Sequence, residues 1–172
     1  MYRKTGSVGA GILNIDKNGF FTWREMLKSD EHPDLGYGDP RSIPVQHREA
    51  IRWLVILLLL PIRAFWGLPV RVLSGYRSKR LNAIVGGSEG SQHMRGEAAD
   101  IRPVIDNASM TAFERAAFSD ALCDELWQFL RDNMSWLFGQ AILYRTDGPG
   151  GDWVHISLAM EHKRGEAFVK RI

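Results

Sequence analysis

At 172 residues the chain has room for one domain with a full hydrophobic core and too little for two. Hydrophobic residues make up 45% and charged residues 24%, a globular composition that excludes a disordered chain. A formal net charge of +2 demands no nucleic-acid partner, though it does not oppose an anionic polymer such as a cell wall.

In chain order, residues 1–19 are Gly-rich and a flexible arm is expected there, followed by a single domain over residues 20–172. No apolar run follows the early basic residues, so no signal peptide is read. Thr22 and Glu25 have capping-box spacing, which predicts a short helix to about Ser29. Val45 to Leu60 predicts a second helix, stopped by Pro61. Its greasiest part, Trp53 to Ile62, falls short of the ~20 apolar residues of a membrane span and reads as core. Pro69 to Leu73 alternates like a strand, and Ser78 to Val85 suggests a short helix closed by Gly86-Gly87. Ala98 to Arg102 reads as a strand ended by Pro103. Thr111 and Glu114 form a second capping box, opening a helical stretch to about Asn133 with a break near Ser119. The single cysteine, Cys123, lies there as a small core residue; alone, it excludes an internal disulfide and a thiolate zinc site. Ala141 to Tyr144 and Trp153 to Leu158 read as strands around a Gly-rich turn. Helices come first and strands cluster later, which predicts an α+β fold with an antiparallel sheet flanked by helices.

Five histidines are present, and three of them, His32, His47 and His162, read as ordinary surface or core residues. His93 and His155 differ in their surroundings. His93 precedes the turn at Gly96 and the small pair Ala98-Ala99, after which Asp100 enters a strand that reads as buried. A lone carboxylate there costs several kcal/mol, roughly, unless it is paired or metal-bound. Arg95 and Arg102 are the candidate ion-pair partners that would make Asp100 merely structural. Period-two alternation puts Trp153, His155 and Ser157 on one strand face, opposite Val154, Ile156 and Leu158. Two histidines and one carboxylate leave a fourth position open, which a catalytic zinc needs and a structural zinc avoids.

Ser91, His93, Gly96, Ala98 and Asp100 match the pattern SxHxxGxAxD. Together with Phe21-Thr22, Val72-Leu-Ser-Gly-Tyr-Arg-Ser78, Leu81-Asn82, Val85-Gly-Gly87 and Trp153-Val-His-Ile-Ser157, it resembles the zinc D-Ala-D-Ala carboxypeptidases and related bacteriophage peptidoglycan endopeptidases. Those proteins share a fold with the hedgehog signalling domain. The resemblance implies that His93, Asp100 and His155 bind one Zn2+. It implies that Asp152, three residues before the last ligand, is the catalytic carboxylate, and that Arg77 lies near the scissile bond. In an ideal strand residues three apart face opposite ways, so Asp152 serves only if the Gly150-Gly151 turn bends the backbone; otherwise it caps that turn. Arg77 is otherwise an exposed arginine in a basic run with Arg80. Ser91 either contacts substrate or braces its turn. The implied function is hydrolysis of peptidoglycan stem peptides, at a D-Ala-D-Ala or an internal L-Ala-D-Glu type bond, by a monomer without nucleic-acid partner or membrane span. A phage lysin or virion component, made in the cytoplasm and acting at the cell wall, fits that reading. The alternative is a non-catalytic zinc module that binds wall or protein partners on the same fold.

Overall fold

Both capping boxes form as their spacing predicts. Thr22 Oγ1 accepts from the Glu25 N–H at the start of α1 (Trp23–Leu27), and the Glu25 carboxylate returns to the Thr22 N–H. The structure is a computed structural model that describes residues 14–29, 32–37, 39–159 and 164–172. The first 13 residues of the expected arm, and His162, lie outside the described residues. From Asn14 onward the arm is folded: Asn14 bridges Thr22, and the buried Asp16 carboxylate accepts from the N–H groups of Asn18, Phe20 and Phe21.

The second helix does not stop at Pro61. Helix α2 (Val45–Leu54) runs through a π-helical turn (Val55–Leu59) into α3 (Leu60–Trp66), which ends at Gly67. Proline lacks a donor and its ring clashes with the carbonyl of an ordinary preceding turn. Here that turn is widened, with the Leu60 N–H reaching back to Val55 O, so the chain passes Pro61 without breaking. After β1 (Val70–Ser74), Ser78 caps the short helix α4 (Lys79–Ile84). A 3-10 turn (Gln92–Arg95) then leads into β2 (Ala98–Pro103).

Helix α5 (Ala112–Asn133) is continuous, and the expected break at Ser119 is absent. The Ser119 hydroxyl is buried and satisfied instead, accepting from Arg102 Nη2 at 2.9 Å. Strands β3 (Phe138–Arg145), β4 (Trp153–Leu158) and β5 (Glu166–Arg171) follow.

The sheet has the order β1-β2-β4-β3-β5. The first four strands pair antiparallel, as expected of the α+β fold, and β5 adds a parallel edge strand on β3 that the sequence reading did not include. Ala99, Ile101, Ala141, Leu143, Val154 and Ile156 face one side of the sheet and form the core with α2, α3 and α5. Trp66 Nε1 ties α3 to α5 through Leu122 O, and Trp127 Nε1 ties α5 to the sheet through Ala141 O. Cys123 is fully buried in this layer. The alternate residues Asp100, His155 and Ile142 point to the other side, one beside the next in the strand register.

Candidate metal centre

Three chain segments converge on that second face. Gly75, after β1, lies flat against α1: a Cβ there would sit 2.5 Å from Met26 O, so only glycine fits. The Tyr76 N–H bonds Met26 O at 2.7 Å and the Arg77 N–H bonds His93 O at 3.1 Å, docking this segment between α1 and the 3-10 turn. At the end of that turn Gly96 has φ +76°, and a Cβ would stand 2.6 Å from His47 O. The left-handed backbone and the close helix both require glycine there. Ala98 and Ala99 are fully buried, which lets β2 lie close to its neighbours and deliver Asp100 to the site.

His93, Asp100 and His155 come together and are all buried. His93 Nε2 lies 3.1 Å from His155 Nδ1 and 3.3 Å from Asp100 Oδ1, and His155 Nδ1 lies 2.9 Å from Asp100 Oδ1. A tetrahedral zinc with bonds of about 2.0–2.1 Å spaces its ligand atoms about 3.3 Å apart, so the triangle fits the ion. His93 Nδ1 donates to Gly75 O at 2.7 Å, which fixes the tautomer and leaves the Nε2 lone pair for the metal. Asp100 does not pair with Arg95 or Arg102. Its partner is Arg77, whose Nη2 donates to Asp100 Oδ2 at 2.7 Å while Nε donates to Ser74 Oγ at 2.8 Å. One carboxylate oxygen is thus held by arginine and the other is turned toward the histidines.

Electrostatics match this division of roles. Burial pushes the His93 imidazole below its ordinary value, and it outweighs the opposing pull of Asp100, so the ring is neutral. Burial alone would raise Asp100, but its interactions with His93 and His155 overcome it and hold the carboxyl well below the usual range. A metal requires an ionised carboxylate, and the site holds Asp100 in that form.

The triad sits at the floor of an open cleft of about 460 Å3. A second lobe of about 390 Å3 shares Arg77, Val85, Asp100 and Trp153 with it and extends past Ser74 to Leu73 and Leu81. Ser91 lines the first lobe, and its side chain makes no capping bond to the 3-10 turn. Arg77 lines both lobes.

Asp152 is not brought to the cluster. Its carboxylate is buried toward α5, accepting from the Thr146 N–H at 2.9 Å and from Arg145 Nη1 at 3.3 Å. Strand alternation therefore puts it with Val154, on the face opposite His155, and in this conformation it braces the turn before β4. Sequence reasoning passed over two contributors. Asn82 is buried and donates to Gly87 O and Ser88 O, clamping the glycine loop that walls the cleft. Lys170 reaches the cleft from β5. The Leu81-Asn82 and Val85-Gly-Gly87 spacing carried the first signal; no local pattern marked the second.

Two buried histidines and one carboxylate that open onto a cleft could hold a metal ion and leave a coordination position free. The family model described as Peptidase M15 matches residues 21–130, more than half of the chain, and the chain belongs to this family of peptidases. The match covers His93, Asp100 and Arg77 but ends before β4, so His155 joins the site on geometry. Among curated proteins, none matches the chain.

Proposed function

We propose that the chain is a zinc-dependent peptidase that hydrolyses amide bonds in peptidoglycan stem peptides. The observation that carries this reading is the buried triangle of His93 Nε2, Asp100 Oδ1 and His155 Nδ1 at the floor of an open cleft. In this reading those three atoms hold one zinc ion and the cleft supplies the remaining position to water and substrate. When bound, zinc supplies Lewis-acid chemistry, polarising an amide carbonyl and making water nucleophilic near neutral pH.

The rest falls to the chain. The Arg77 guanidinium is fixed through Nε and Nη2, and its Nη1 makes no hydrogen bond to a described residue. That group is the one offered to a developing oxyanion or a substrate carboxylate. The Ser91 hydroxyl is assigned a substrate contact. Tyr144 also lines the cleft, but burial, helped by Asp100, raises its hydroxyl, so it serves as a donor and not as a base. Among the described residues lining either lobe, Asp100 is the only carboxylate, and the zinc claims it. Asp152 acts as the proton carrier only if the turn before β4 opens and releases it from Thr146 and Arg145.

That last observation favours a second reading, a non-catalytic zinc-binding module for a cell wall or a structural assembly. Release of new amino groups from purified peptidoglycan, with zinc and with a chelator, separates the two. The peptidase reading expects release that the chelator abolishes and zinc restores; no release from zinc-loaded protein on any wall type supports the module. A D-Ala-D-Ala bond and an internal L-Ala-D-Glu type bond are both compatible with the site. The phage-lysin setting is part of the proposal and rests on the sequence resemblance.

A further inference from the structure

Beside the metal triad, the sheet carries a row of residues of which two, Trp153 and Lys170, have no task in the chemistry above. Trp153 on β4 stands opposite Tyr144 on β3, which stands beside Lys170 on β5. The next row holds His155, Ile142 and Phe168, so the first row runs alongside the ligand row out to the sheet edge. The rings of Tyr144 and Trp153 stack with centroids 4.8 Å apart and planes 8° from parallel. Lys170 Nζ lies 5.4 Å from the centre of the Tyr144 ring. A flat aromatic pair of this kind holds an ammonium group by cation–π attraction and shields its aliphatic stem.

Lys170 makes no ion pair with a described residue. The acid on its own strand, Glu166, sits on the far side of Phe168 and accepts from Gln140 Nε2 at 2.7 Å. In the lobe that contains the triad, the cations are Arg77 and Lys170 and the one carboxylate is Asp100. Asp100 is already neutralised by Arg77, so the lobe offers net positive charge, and a bound divalent ion adds to it. An anionic segment of substrate is the complement to such a lobe.

We propose that Lys170, presented by the Tyr144–Trp153 stack, is a specificity-determining residue that holds a free carboxylate of the peptide next to the scissile bond. This rests on the peptidase reading for its substrate, but its recognition step is readable without turnover. An exposed ion pair is worth roughly 0.2–1 kcal/mol, so the expected preference is modest, up to about fivefold, and screened by salt.

The test uses two alanyl-γ-D-glutamyl peptides that differ only in a free α-carboxylate or an α-carboxamide. Zinc-loaded wild type, Lys170→Met and Lys170→Glu are compared by calorimetric Kd and by kcat/KM. Wild type should prefer the carboxylate peptide about threefold to fivefold, through Kd and KM and not kcat, with the gap narrowing at high salt. Lys170→Met should bring the carboxylate peptide to the level of its carboxamide twin, and Lys170→Glu should invert the order, both with unchanged zinc content and unfolding midpoint. An equal preference in Lys170→Met, or none in wild type, overturns the proposal. If neither peptide is cleaved, the internal L-Ala-D-Glu type bond is excluded as the target, while the Kd comparison still decides the role of Lys170.

Discussion

His93 presents Nε2 to the metal position because Gly75 can press against α1 and aim its carbonyl at the opposite ring nitrogen. His93→Ala or His155→Ala should lower zinc below one ion per chain by elemental analysis, and full stoichiometry in either would show that the ligand set is different. Arg77 acts one bond further out, holding Asp100 by its second oxygen. Loss of such an outer partner weakens metal affinity by about 10–100-fold, so Arg77→Met should show that drop in a competitive chelator titration. Unchanged affinity would confine Arg77 to the substrate. Cys123 is a residue of the core alone: burial pushes its thiol up to about 12. The neutral thiol is the folded form, so thiol reagents should label native protein negligibly at pH 8 and stoichiometrically after denaturation. Labelling stays slow as pH rises until it nears the folded value. Rapid native labelling would mean that the α5 layer opens.

The elements explain which sequence rules held. Capping boxes act within four residues, and both formed where the spacing put them. The glycines of the motif are required by contact as well as by conformation. Gly96→Ala meets both the left-handed backbone and His47 O, whereas Gly86→Ala, at φ +67° with open space around it, meets only the first. An L-residue in that region costs about 1–2 kcal/mol. Gly86→Ala should lose about that much by denaturant unfolding, and Gly96→Ala clearly more; equal losses would contradict the packing of the 3-10 turn on α2. The turn before β4 is where the motif and the fold disagree about Asp152. As a brace whose carboxylate accepts from Arg145 and Thr146, it should cost about 1.5–3 kcal/mol when changed to Asn, lowering the unfolding midpoint by several degrees. An Asp152→Asn protein with unchanged stability and zinc but turnover reduced by orders of magnitude would instead return it to the scissile bond. The proline rule and the expected break at Ser119 failed for tertiary reasons: a widened turn absorbs Pro61, and Arg102 satisfies a serine that local sequence leaves unpaired.

For the whole molecule, the α+β class was legible because strand alternation and helix caps are local signals. The cluster of His93, Asp100 and His155 was legible because buried polar residues stand out against small and apolar neighbours on β2 and β4. The edge strand β5 was not, since its mixed sequence Glu166–Arg171 gains its meaning only from parallel pairing with β3, more than 20 residues away. With β5 went Lys170 and the full width of the cleft. The architecture that results separates two tasks: one sheet face is closed by α2, α3 and α5, and the other is left open around the triad. No described helix is long and apolar enough to cross a membrane. The central claim is that this open face hydrolyses stem peptides through zinc, and mass spectrometry of defined muropeptides tests it most directly. With zinc-loaded protein, the account predicts one pair of products whose summed mass exceeds the substrate by one water, and none with chelator present. Intact muropeptides after prolonged incubation with fully zinc-loaded protein would contradict it.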